Sequence, residues 1–191
     1  MKTSDLTRIA ILSAVCILTR LYLNIIPNVK ILSDVILILA IEKNLKESLF
    51  VNAVTMVTTS FVLGFGIWVL FQVVDFFILA VFNYAIFNVF KLKKTLITKT
   101  IAVSVSGFLY GLIITLMECM TVMGMNVFIA RYMTSIPFDI NHMIGNAVIY
   151  IFLIYKLEDC ITGKKKTWIN WWYYILMYNE KYFIIIKITE G

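Results

Sequence analysis

Charge is scarce in this chain. Asp, Glu, Lys and Arg make up 15% of its 191 residues, against 61% hydrophobic residues and a mean hydropathy of +0.91. A soluble domain of that length needs a larger polar fraction to cover its surface, so the balance points to lipid as the solvent. Histidine occurs once, and the three cysteines, Cys16, Cys119 and Cys160, lie far apart with no metal-ligand spacing. No metal or other cofactor is therefore expected, and the cysteines read as packing residues. There is no Gly-rich Lys-Ser/Thr phosphate loop, no HExxH, no paired acidic motif and no Ser/His arrangement, so ATP hydrolysis and familiar hydrolytic chemistry have no residues to carry them. The formal net charge is +6. Without polar scaffolding around a basic face, that excess excludes a nucleic-acid partner and reports orientation and lipid contact instead.

What the chain does have is apolar length. Six stretches are expected as helices, over 6–26, 29–41, 45–63, 67–90, 96–123 and 138–157. Ser4 or Asp5 suits the cap of the first and Pro27 its stop. No small-residue cleavage site follows the first run, which reads as a retained helix rather than a signal peptide. One set of connections holds most of the base: Lys2, Arg8, Lys43, Lys46, Lys91, Lys93, Lys94, Lys99, Lys156 and Lys164 to Lys166. The other holds Arg20, Lys30 and Arg131. The positive-inside rule places both termini in the cytoplasm, and an even number of spans requires the same. The expected fold is an all-α integral membrane protein, a six-transmembrane-helix bundle over 1–160. A basic, aromatic tail over 161–191 suits the membrane interface. The outer side carries the longest connection, 124–137, which suggests capture from outside. The chain shows no internal repeat of the kind that builds alternating-access transporters.

Polar side chains at membrane depth are costly and call for a role. Trp68, Gln72 and Asp75 recur at four and three residues, on one face of the fourth span near its outer end. Trp68 suits stacking on a planar ring, Gln72 hydrogen bonding, and Asp75 a ligand cation or donor. An interfacial Trp anchor beside an interhelical hydrogen-bond pair is the plainer reading. Asp139, His142 and Asn146 form a similar face in the sixth span, where Pro137 suits the first turn and Ser135 the cap. His142 either contacts ligand or is held structurally by Asp139. Glu118 pairs with Arg131 of the long outer loop or with a ligand. Arg20 and Asp34 flank the first outer connection and suit a pair that holds it. Ala10 and Ala14 make a small-residue stripe on the first helix, and Gly107 and Gly111 a second one in the fifth.

Several of these segments together resemble the substrate-binding S component of an energy-coupling factor (ECF) vitamin transporter. They are Ala10-Ile-Leu-Ser-Ala14 ahead of Pro27-Asn28-Val29, Gly64-Phe65-Gly66-Ile67-Trp68 followed by Gln72, and Gly107-Phe108-Leu109-Tyr110-Gly111. The most specific is Ser135-Ile136-Pro137-Phe138-Asp139 with His142 and Gly145-Asn146. The order and the six-span pattern match across about residues 6–160. The resemblance implies a plasma-membrane subunit, in a bacterium, that binds a micronutrient at its outer face. It implies partnership with a transmembrane T component, met through Ala10 and Ala14, and with two ATPases that hydrolyse ATP. Substrates in the family are chemically diverse. The patterns look nearest to relatives associated with cobalamin or queuosine-precursor uptake. On that reading Trp68, Gln72, Asp75, Glu118, Arg131, Asp139, His142 and Asn146 bind substrate, and the chain is not an enzyme. The alternatives are a small membrane scaffold, whose polar faces affect stability only, and an intramembrane enzyme, whose hydrolysis would be lost in Asp139→Asn.

Overall fold

The computed structural model describes residues 3–22, 30–42 and 44–163, and among them the protein is entirely helical. Helix α1 is Thr3–Tyr22, α2 Ile31–Ile41, α3 Leu45–Leu63, α4 Ile67–Tyr84 and α5 Leu96–Glu118. Helix α6 is Phe128–Ile149 and runs through a wider π turn, Tyr150–Ile154, into α7, Tyr155–Thr162. Similar π turns extend α4 to Val89 and α5 to Met123. The tail beyond Gly163 and the connection 23–29, with the expected stop at Pro27, lie outside the described residues.

Local chemistry explains several boundaries. Helix α5 opens on a reciprocal cap. The Thr98 amide donates to Thr95 Oγ1 at 3.2 Å, and the Thr95 amide donates to Thr98 Oγ1 at 3.0 Å. Two orphan amides of the first turn are thereby satisfied.

The sixth helix departs from expectation. It begins at Phe128, ten residues before the expected start, so 124–137 is not a long loop and Pro137 is not in a first turn. Ser135 does not cap it. Pro137 sits inside the helix, where it removes one backbone donor. In the turn ahead of it, the Thr134 hydroxyl donates to the Arg131 carbonyl at 2.7 Å and the Ser135 hydroxyl to the Tyr132 carbonyl at 2.9 Å.

What lets α6 lie close against α5 is the small-residue stripe. A Cβ at Gly107 would come within 2.9 Å of the His142 carbonyl oxygen, and one at Gly111 would fall on the Asp139 carboxyl. The two backbones approach closely only because both positions are glycine.

Six helical rods, with α6 and α7 taken as one, alternate in direction. At one end the α1 start meets the α3 start, since Arg8 binds Glu47 at 2.6 and 2.5 Å. The end of α2 meets the start of α5 there, through Glu42 and Lys99 at 2.6 Å. The end of α7 joins them, because Asn44 donates to the Thr162 carbonyl at 3.1 Å. At the opposite end the finish of α1 meets the start of α4, where Arg20 donates to the Gln72 side-chain oxygen at 2.7 Å. These two regions are called below the Arg8 end and the Arg20 end.

The core is unusual in its polarity. Helix α2 is enclosed by the other rods, and every residue from Leu32 to Ile41 is no more than 2% exposed. Around it are buried many polar side chains, including Asn52, Thr55, Asp75, Asn83 and Asn146. The exterior, by contrast, presents large apolar groups such as Phe61, Leu70, Phe77, Ile97, Ile129 and Phe152. Apolar patches on that scale mark a surface that meets lipid or protein. By length and composition, Ile67–Val89 and Leu96–Met123 are each able to cross a membrane. Helix α2 is apolar but short, about 16 Å at 1.5 Å per residue.

Candidate functional site

The Arg20 end gathers polar side chains from five helices around Tyr110. This tyrosine stands on α5 between the two glycines of the stripe. Its ring lies 5.0 Å from that of Phe76 on α4 and 5.0 Å, edge-on, from that of His142 on α6. Its hydroxyl lies beside the Gln72 amide, and Arg20, Asp75 and Asp139 are all within electrostatic reach of it. Lys30, at the entrance to α2, is near both Arg20 and His142. Burial, and then the Arg20 charge, lowers the affinity of the Lys30 ammonium for its proton. Gln72, Tyr110 and Lys30 are half-buried, while Asp75, Asp139, His142 and Arg20 are buried beneath them.

The floor of this cluster is incompletely satisfied by protein. Both oxygens of Asp75 and both ring nitrogens of His142 reach no hydrogen-bond partner among the described residues. The same is true of both Asp34 oxygens and of the Arg20 Nε. A buried polar group without a partner costs about 1–3 kcal/mol, so several together are exceptional in a structural core. Arg20 does not pair with Asp34; beyond Gln72 its guanidinium meets the Met56 sulfur.

The expected residues separate into three groups. Gln72, Asp75, Asp139 and His142 come together as described. Asp139 is held by the Ser135 hydroxyl at 2.9 Å rather than by His142, which leaves the imidazole edge to Tyr110. Glu118 and Arg131 do pair, at 2.9 and 3.0 Å, but Arg131 stands on helix α6 rather than in a loop. They border the cluster, since the Arg131 charge reaches Asp139. The third group lies apart. Trp68 folds back over the turn into α4, so that a Cβ at Gly66 would lie 2.5 Å from its Nε1. Asn146 is engaged at both its oxygen and its nitrogen: it accepts from Ser33 at 2.8 Å and donates to the Val103 carbonyl at 3.0 Å, locking α2, α5 and α6 together.

Tyr110, Arg20 and Lys30 complete the cluster without having been singled out for it. Position was the one available signal for Tyr110, since it falls between two glycines that bring a partner helix close. Ala10 and Ala14 are both exposed on the outer surface of α1, away from the cluster. Among the described residues, no three His, Cys, Asp or Glu side chains gather as a metal site. Compared with protein-family models, curated proteins and solved structures, the chain shows no match.

Proposed function

We propose that the chain is a six-span membrane protein with both termini in the cytoplasm, and that it is the substrate-binding S component of an ECF-type importer. The observation that carries the reading is the Arg20 end, where buried polar groups without partners converge at one end of an apolar-surfaced bundle. A ligand that supplied the missing hydrogen bonds would be bound in proportion to what those groups lose without it.

Further support comes from charge. The lysine-rich connections, with Lys46, Lys91, Lys93 and Lys94, fall at the Arg8 end, which the positive-inside rule assigns to the cytoplasm. The cluster then opens outward. The chain captures a vitamin or related micronutrient there. It delivers this ligand inward by reorienting against a T component, while two ATPase partners hydrolyse ATP. Ala10 and Ala14, exposed on α1, form the surface for the T component. A body with an apolar perimeter and internal ion pairs reorients in lipid at lower cost than one with charges facing outward.

The test is co-purification from membranes with T and ATPase subunits, together with ligand binding by the isolated chain. Ala10→Trp with Ala14→Trp is expected to abolish co-purification while thermal stability is retained. Full association by that double variant removes the stripe from the interface, and failure of the unaltered chain to associate with any such module overturns the importer reading.

A further inference from the structure

The cluster also constrains what is captured. We infer that the ligand of the Arg20 end is a small carboxylic acid that carries N–H or O–H donors of its own, an inference that rests on the capture reading above.

Arg20 is 7% exposed, and its guanidinium meets an amide oxygen and a thioether rather than a carboxylate. A buried guanidinium ordinarily finds a carboxylate, because only an anion compensates its desolvation. Two buried carboxyls stand on adjacent helices, Asp34 on α2 and Asp75 on α4, yet neither bonds to it. The Lys30 ammonium adds a second positive charge beside it. The planar fork of Arg20, with its Nε unengaged, matches a carboxylate in two-point geometry.

Asp75 supplies the opposite requirement. Both of its oxygens are without donors, so a ligand N–H or O–H satisfies them. His142 stands across the Tyr110 ring, with a nitrogen for either kind of group. A ligand with an acid at one side and donors at the other engages Arg20 and Asp75 together. A neutral ligand leaves the guanidinium uncompensated.

The full chain in lipid nanodiscs is titrated by thermal stability with matched pairs that carry their own donors and differ at the acid: biotin and biotinamide, pantothenate and panthenol. Cyanocobalamin and 7-cyano-7-deazaguanine are included as compounds without a carboxylic acid. At least one acid is expected to bind tenfold or more tightly than its neutral partner, and Arg20→Gln to erase the difference. Arg20→Lys keeps the charge but loses the fork, and is expected to retain the preference with several-fold weaker binding, which also covers the case in which Arg20→Gln does not fold. A neutral compound that binds as tightly as its acid, or an acid preference that survives Arg20→Gln, overturns the inference and leaves capture standing. Binding of cyanocobalamin or the deazapurine alone does the same. No binding across the panel overturns capture and this inference together.

Discussion

The two ends of the bundle bury charge in opposite ways. At the Arg8 end the buried charges close on one another: Arg8 with Glu47 and Asp5, and Lys99 with both Glu42 and Glu158. Tyr150 adds its hydroxyl to Glu158 at 3.0 Å, and Lys94 reaches Glu42 at 3.7 Å. At the Arg20 end a guanidinium, a carboxyl and an imidazole share one neighbourhood without bonding to one another. Since burial costs a charge several kcal/mol at either end, the difference lies in compensation. A region whose bonds close on themselves fixes helix positions. A region whose bonds stay open retains free energy that a ligand can release. The Gly163 position lies directly against Arg8, so the closed end also ties the last described turn of the chain to its first helix.

The largest effect is expected from opening the closed end. Lys99→Met removes the cation that bridges Glu42 and Glu158, leaving Glu158 without its ion pair and Glu42 with the more distant Lys94 at 3.7 Å. Removing one member of a buried network costs about 3–5 kcal/mol. Unfolding in detergent should show a loss of that order, and Glu42→Gln with Glu158→Gln should restore most of it in the Lys99→Met background. A Lys99→Met protein as stable as the parent would erase the contrast between the ends.

Next in size is the helix contact that positions the cluster. Gly111→Ala places a methyl on the Asp139 carboxyl, and α6 must shift or Asp139 must turn away. Overpacking of this kind costs about 1–3 kcal/mol. The parallel outcome at the site is weaker ligand binding, because Asp139 and His142 move with α6. Equal stability and equal binding in this variant would show that the stripe does not set the geometry.

At the open end the sign is expected to reverse. Asp75→Leu replaces a carboxyl that reaches no partner by an apolar group near Tyr110. Relief of that desolvation should leave stability unchanged or raise it by about 1–2 kcal/mol, while ligand-dependent stabilisation is lost. Thermal unfolding with and without ligand separates the two effects. A large loss of stability would mean that Asp75 is structural, and the ends would then be alike.

Sequence pattern and structure agree best where punctuation is strong. Helices α3 and α5 with its π turn occupy 45–63 and 96–123 as expected, because glycine and lysine-rich connections bracket predominantly apolar runs. Disagreement comes where tertiary contact overrides a local rule. Pro137 reads as a helix start, but the close α5 surface and the Glu118–Arg131 pair hold α6 helical for nine residues ahead of it. Helical periodicity found the faces containing Gln72, Asp75, Asp139 and His142. It could not show that Asn146, on the same face, is engaged by Ser33 and Val103, since those lie on other helices. For the same reason it missed Tyr110 and Arg20, whose meaning arises only from the helices packed against them.

The smallest effect is expected where the ends are least distinct. The Glu118–Arg131 pair sits near the open cluster yet is closed on itself, so proximity alone would give it a place in ligand binding. Its side chains are 20% and 35% exposed, and pairs in that setting contribute about 0.2–1 kcal/mol. Arg131→Ala should therefore change stability by no more than that and change ligand affinity less than Arg20→Gln does, because Glu118 already satisfies the Arg131 fork. A loss of affinity in Arg131→Ala matching that of Arg20→Gln would move the boundary of the open region outward to include the pair. Retained affinity confines it to the residues around Tyr110, where bonding is incomplete rather than where charge is merely present.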